Sequence, residues 1–269
     1  MTFLKHTIGF LNKLRLYAVL FTLNIYSSNA LQLPSSEINN SLQQKAMPEL
    51  GEGQLARILS RYYNIGLGGL KAWEKINSLK ISGTLTFAQG PLELYAYQRK
   101  PNLYKLNLRK DQLEMVLSHD GENAWQRKPG QAPEYMPSDQ ARDFKHGSIF
   151  GNYLLYPHAS GKEIIYIGTV TIDGEHCHHV QVQLKTKFQV DYFFSVHSYL
   201  NVKVDHTDHL SGNTNSIFYR DYMRIAGIPI PTLTENHESG KWMSTLSIDE
   251  VKPNLGLAPW IFRMPKLVE

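Results

Sequence analysis

Leu103-Tyr-Lys-Leu-Asn-Leu-Arg-Lys-Asp-Gln-Leu-Glu-Met-Val-Leu117 decides the fold class. Tyr104, Leu106 and Leu108 alternate with Leu103, Lys105, Asn107 and Arg109, and beyond the Lys110-Asp111 turn Leu113, Met115 and Leu117 take up the same rhythm. A period of two gives each segment one apolar face, the signature of a half-buried strand. The turn is too short for the dozen residues of a parallel crossover, so the two strands are antiparallel hairpin partners.

Upstream, Leu79, Ile81, Leu85 and Phe87 alternate with Lys80, Ser82, Thr84 and Thr86, and the turns Gln89-Gly90-Pro91, Lys100-Pro101-Asn102 and Asp120-Gly121 are equally short. The alternation pauses between Pro129 and Gly161. There Ser138 is a suitable N-cap for a helix through Ala141, Phe144 and His146, and Ile149 to Leu155 extends its apolar character. It resumes at Ile164, Tyr166 and Val170, then in Val180 to Leu184, Val190 to Phe194, Leu200 to Val202, Ile217 to Tyr219, Ile228 to Glu235 and Lys241 to Val251. The expected total is about ten strands in one antiparallel sheet, which at that size must curl or close.

The N-terminal side is built differently. Leu55, Ile58, Leu59 and Tyr62 recur at helical spacing, and Gly66-Leu67-Gly68-Gly69 ends the helix before a second short one over Leu70–Asn77. That glycine run has no lysine and no preceding strand, so it reads as a cap and turn, not a phosphate loop. Residues 31–53 are polar and turn-rich and are expected to form a loosely held arm. Residues 1–30 carry Lys5, Lys13 and Arg15, then the apolar run Leu16 to Ile25, then Ser28-Asn29-Ala30. This order is that of a cleavable secretory signal peptide, and an apolar stretch of about ten residues is too short to span a bilayer.

The chain has 269 residues, 42% of them apolar and 19% charged, which suits a folded core and excludes a disordered chain. Cys177 is the single cysteine, so no disulfide framework is expected. Three cations of the +4 formal charge sit in the leader, which removes the electrostatic argument for a nucleic-acid partner. The expected fold is mainly β (α+β): a single curled antiparallel sheet forming an unclosed half-barrel with a helical lid, over residues 54–269. Either the helices fill the trough of such a sheet, or they cover a cavity that accepts an apolar guest.

Specific residues carry a resemblance. The run Gly90-Pro-Leu-Glu-Leu-Tyr-Ala-Tyr-Gln-Arg-Lys-Pro-Asn-Leu-Tyr104-Lys105, followed by Ser118-His-Asp-Gly-Glu-Asn-Ala-Trp125, resembles the early strands of the LolA-like periplasmic lipoprotein carriers. Ile172-Asp-Gly-Glu175, Tyr219-Arg-Asp-Tyr222 before Gly227-Ile-Pro-Ile-Pro231, and Pro259-Trp-Ile-Phe-Arg-Met-Pro265 are similar to the wider outer-membrane lipoprotein-sorting family, as is Tyr62–Gly69 leading into Lys80-Ile-Ser-Gly83. The resemblance runs from about residue 60 to 265 and rests on the order of motifs.

It implies a half-barrel whose apolar face, under a helical lid, holds the acyl chains of a lipid or lipoprotein. The expected lining is Leu94, Tyr104, Leu106, Met115, Leu117, Trp125, Tyr192, Phe194 and Trp242. The carrier's arginine before the proline, which helps to hold its lid, is Lys100 here with Arg99 one place earlier, so Arg99, Lys100 and Phe144 are the expected lid and latch residues. Partners would be acyl chains and membrane-bound donor and acceptor proteins, with no nucleic acid and the protein a monomer in the periplasm.

Rival sites are less well supported by the pattern. On a strand, His176 and His178 share one face while Cys177 and His179 take the other, so no three converge. Asp205-His-Thr-Asp-His209 could gather two imidazoles and a carboxylate at a turn, although polar residues are common at hairpin ends. His146-Gly-Ser-Ile-Phe-Gly151 lacks the spacing of a nucleophile elbow. No catalytic residue, metal or cofactor is assigned. The alternatives left open are an envelope scaffold or sensor with a filled core, and a hydrolase.

Overall fold

The computed structural model describes residues 53–155 and 161–266, so the leader and, apart from Gly53, the N-terminal arm lie outside the described residues. Thirteen strands form one antiparallel sheet. They are β1 Ser78–Phe87, β2 Gly90–Arg99, β3 Leu103–Lys110, β4 Leu113–His119, β5 Ala124–Arg127, β6 Glu134–Tyr135 and β7 Lys162–Ile172, followed by β8 Glu175–Leu184, β9 Phe188–Ser195, β10 Asn201–Asp208, β11 Asn213–Ile225, β12 Ile228–Glu238 and β13 Lys241–Pro253. The order across the sheet is β6-β5-β4-β3-β2-β1-β13-β12-β11-β10-β9-β8-β7. Strands that follow one another in the chain lie side by side, except that β1 pairs with β13, while β6 and β7 form the two edges and leave the sheet unclosed.

The turn chemistry explains the hairpins. Asp173-Gly174, Ala226-Gly227 and Ser239-Gly240 each place two successive residues at positive φ, the geometry that matches the right-handed twist of the strands on either side. The sheet holds three strands more than the alternation suggests. In β2, Tyr95 and Tyr97 put apolar rings on the face opposite Leu92, Leu94 and Ala96, which hides the alternation, while β5 and β6 are only 4 and 2 residues long.

The chain packs as two compact units. In the unit made of 77–150 and 244–266, the register aligns Ala96, Leu106 and Leu117 across β2, β3 and β4, with Leu94, Leu108 and Met115 as the neighbouring row. Together with Ile81, Leu85 and Leu92 they make an apolar face with no side chain more than 4% exposed. Helix α3, Ser138–Gly147, buries Phe144, whose ring lies 5.6 Å from that of Tyr104. Its N-cap is Pro137 and not Ser138, which is already the first helical residue.

The unit made of 53–76 and 151–243 has its own core. Val180, Val182, Val190, Tyr192, Phe194 and Val204 share one face and are wholly buried. Helix α1, Gln54–Arg61, continues into a π-helical turn, Tyr62–Gly66, and α2, Leu70–Glu74, follows. The first helical stretch thus ends at the glycine run, its wider last turn carrying Tyr62 onto Phe194 with ring centroids 4.3 Å apart, and the second stops at Glu74, short of Asn77. The backbone comes close to β-strand neighbours at Gly68, which has φ +84° and where a Cβ would stand 2.4 Å from the Gly227 carbonyl oxygen. Only glycine fits there without strain.

Candidate functional site: an apolar face with one polar row

The site belongs to the first unit and follows from strand parity. Even residues of β2 and β3 and odd residues of β4 turn to the same side, so Leu94, Leu106, Leu108, Met115 and Leu117 meet as contiguous rows. The next row along breaks the apolar pattern. Gln98 faces Tyr104 and Tyr104 faces His119 in direct register. Gln98 and Tyr104 are 0% exposed and His119 is 4% exposed.

These three side chains are neutral hydrogen-bonding groups. Burial pushes the Tyr104 phenol well above its usual range, so it keeps its proton. The His119 Nδ1 lies 2.8 Å from the Asn102 carbonyl oxygen, which can only accept, so Nδ1 carries the hydrogen of the neutral ring. Burial lowers the pKa of that ring, outweighing the Asn102 bond. Neither amide atom of Gln98 nor the Tyr104 hydroxyl has a hydrogen-bond partner among the described residues. Buried polar atoms are rarely left so.

Leu94, Tyr104, Leu106, Met115 and Leu117 therefore share one face of the sheet. Trp125 does not. Its partner across β4 and β5 is Ser118, and Ser118 in turn faces Lys105, so all three lie on the opposite side of the sheet from Leu106 and Leu117. There the C-terminal segment covers them: the Phe262 carbonyl accepts from Trp125 Nε1 at 2.7 Å and from Ser118 Oγ at 2.8 Å, and the Ile261 carbonyl accepts from Lys105 Nζ at 3.2 Å. The tryptophan assignment is corrected by the register.

Tyr192 and Phe194 lie on the apolar face of the second unit, where the chain itself occupies them. Phe194 stacks on Tyr62, and the Tyr192 hydroxyl accepts from the Tyr153 backbone N–H at 3.1 Å. The Tyr62 hydroxyl donates to Asn201 Oδ1 at 3.1 Å and accepts from Asn152 Nδ2 at 2.7 Å. Trp242 is 41% exposed at the start of β13 and contributes no buried lining.

The latch residues separate. Arg99 turns to the side opposite Gln98 and donates to the Leu257 carbonyl at 2.5 Å, so it fastens the C-terminal segment and not the helix. Lys100 places its ammonium 5.7 Å from the Phe150 ring centroid, just beyond α3, and Phe144 rests on Tyr104. The polar runs disperse as well. His179 stacks on Phe193 and bonds Asp191 at 2.7 Å, while His178 turns to Phe194. Asp205 to Asp208 form part of β10 and no turn; Lys203 pairs with Asp205, and His209 bonds Gln189.

Gln98 and His119 escaped the sequence reading. The signal was present, since each sits on the apolar parity of its strand, two residues from Ala96 and Leu117.

No protein-family profile matches the chain, and no curated protein does. Solved structures do share its fold. One is a domain described as an outer membrane lipoprotein-sorting protein from Vibrio parahaemolyticus, with 10% identity, a TM-score of 0.53, and 77% of this chain and 94% of that one covered. A DUF1329 family protein from Desulfovibrio piger has 10% identity and a TM-score of 0.55 over 77% of this chain and 95% of its own. A LolA superfamily protein from Nitrosomonas europaea has 13% identity and a TM-score of 0.55 over 77% and 96%. At these identities the likeness is one of fold, and it is the fold of these three structures that this chain shares.

Proposed function

We propose that the protein is an extracytoplasmic, periplasmic carrier that holds the acyl part of an envelope lipid or lipoprotein and does no chemistry on it. The observation that carries this reading is the first unit's apolar face, in which Leu94, Leu106, Leu108, Met115 and Leu117 form continuous buried rows beside Tyr104, on which Phe144 of α3 rests. The shared fold with lipoprotein-sorting and LolA-superfamily structures supports it. So does the basic-then-apolar-then-small order of residues 1–30, which suits export. Each buried methylene contributes roughly 0.8 kcal/mol, so a chain of about 14 carbons supplies on the order of 10 kcal/mol before ordering costs. Reversible carriage then needs no covalent capture.

Titration with a fluorescent fatty acid tests this, together with organic extraction and mass spectrometry of protein purified from its own host. Saturable binding, lost in Leu106→Glu and Leu117→Glu, is the expected result. No saturable binding, with native lipid co-purification unchanged by both variants, overturns it. One observation favours a second reading. The apolar face of the second unit is filled by Tyr62, Tyr153 and their partners, as in an envelope scaffold with a closed core.

A further inference from the structure

We propose that Gln98, Tyr104 and His119 form a subsite for the uncharged linkage at the head of the acyl chain, an ester or amide carbonyl with its neighbouring hydroxyl or N–H. This rests on the acyl-carrier reading and specifies which end of the ligand lies where. The motive is the pair of unpartnered groups. Gln98 and Tyr104 are fully buried and in register, and their donors and acceptors meet nothing among the described residues. A core that served only stability would gain from a methionine at 98 and a phenylalanine at 104, which fill similar volumes without unpaired polar atoms.

The placement of the row agrees with an amphipathic guest. Gln98 stands at one end of the β2 face, and Ala96, Leu94 and Leu92 follow at every second residue, a run of about 20 Å at the usual rise. A chain laid along those strands would end its apolar part at Ala96 and Leu106 and meet polar groups at the next step. The complement available there is specific. Tyr104 and the Gln98 amide can donate to a carbonyl, and the Gln98 oxygen can accept from a hydroxyl or an N–H.

Charge decides against other headgroups. No member of the row is ionised, and the two charged groups that act on His119, Lys145 and Asp120, oppose each other. A phosphate or free carboxylate buried beside Gln98 and Tyr104 would find no cation within the row itself, and the one ammonium that acts on its edge, Lys145, is opposed there by Asp120. An acyl glycerol, through its ester and hydroxyl, and an N-acylated amine, through its amide, present the same neutral chemistry.

The test displaces an apolar fluorescent probe from the full chain with four ligands of equal chain length: 1-palmitoylglycerol, N-palmitoylethanolamine, palmitate and 1-palmitoyl lysophosphatidate. The proteins compared are the wild type, Tyr104→Phe and Gln98→Met. The expected result is that one or both neutral ligands bind at least about tenfold more tightly than the anionic pair, and that each variant loses most of this preference. Which neutral ligand leads distinguishes the glycerol ester from the amide. The quantity read is the ratio of neutral to anionic affinity within each protein, and the variants should melt at or above the wild-type temperature, because the groups removed hold nothing in the free protein.

Equal affinities for all four ligands, or variants that keep the neutral preference, overturn the subsite while leaving the carrier reading intact. A lowered melting temperature in Tyr104→Phe also overturns it, since the hydroxyl would then serve the fold. Failure of the wild type to take up the probe or any ligand overturns both.

Discussion

Ser118 and Trp125 face each other across β4 and β5 and donate to one and the same oxygen, the Phe262 carbonyl, at 2.8 and 2.7 Å. This shared acceptor ties the C-terminal turn Pro259–Phe262 to the side of the sheet away from Leu106 and Leu117. Trp125→Phe or Ser118→Ala alone leaves the carbonyl one donor and should cost about 1–2 kcal/mol. The double variant strips both, and urea denaturation should show a loss larger than the sum of the singles. Acyl binding should not change.

Tyr62 is a second anchor that can be tested in isolation. Its hydroxyl lies between Asn152 and Asn201, so Tyr62→Phe keeps the ring on Phe194 but leaves both amides short of a partner. The expected destabilisation is about 1–3 kcal/mol, read from equilibrium unfolding. Tyr62→Phe with Asn152→Ala should recover none of it, because Asn152 Oδ1 also accepts from the Leu154 backbone N–H at 2.8 Å and its removal orphans that buried donor.

Gly83 sits where the β1–β13 register shifts, and a Cβ there would stand 2.2 Å from the Ser247 carbonyl oxygen. The obstacle is backbone and cannot swing aside. Gly83→Ala should therefore lower the unfolding midpoint by the equivalent of about 1–3 kcal/mol or more, with Gly83→Val worse. Wild-type stability in Gly83→Ala would show that the two strands can separate locally at no cost.

His119 predicts a pH dependence with a defined sign. Burial lowers its pKa below the ordinary 6.5, so the folded protein binds the extra proton less readily than the unfolded chain. The stabilisation is complete above about pH 6.5 and is lost as the pH falls through that value toward the folded pKa. His178 shifts the same way through burial. Urea midpoints should fall over that window in the wild type and fall less steeply in His119→Gln. An identical slope would assign the effect to His178 or to other groups.

What could be read in advance was local. The Leu103–Leu117 hairpin is legible because both of its strands alternate and one short turn joins them. Tyr95 and Tyr97 obscure β2, since rings on both faces abolish the contrast on which parity depends. Trp125 was misplaced because a strand of four residues, Ala124–Arg127, offers too few positions to assign a face, and its cover comes from Phe262, far along the chain. Arg99 failed for the same reason, as its acceptor is Leu257. The polar row was missed because Gln98 and His119 lie next to turns, where polar residues are unremarkable. Their meaning emerges only when the register sets them beside Tyr104.

The pairing of β1 with β13 has a consequence for how the chain is made. Each hairpin from β1 to β6, and from β7 to β12, can close as soon as its own residues exist, but the middle of the sheet waits for the final strand. Until then β1 and β12 each present an open hydrogen-bonding edge, and the closing contact carries the entropy cost of a very long loop. A chain cut short before Lys241 is thus missing its centre and not its trim, and the two bare edges left behind are templates for association with other unfinished copies.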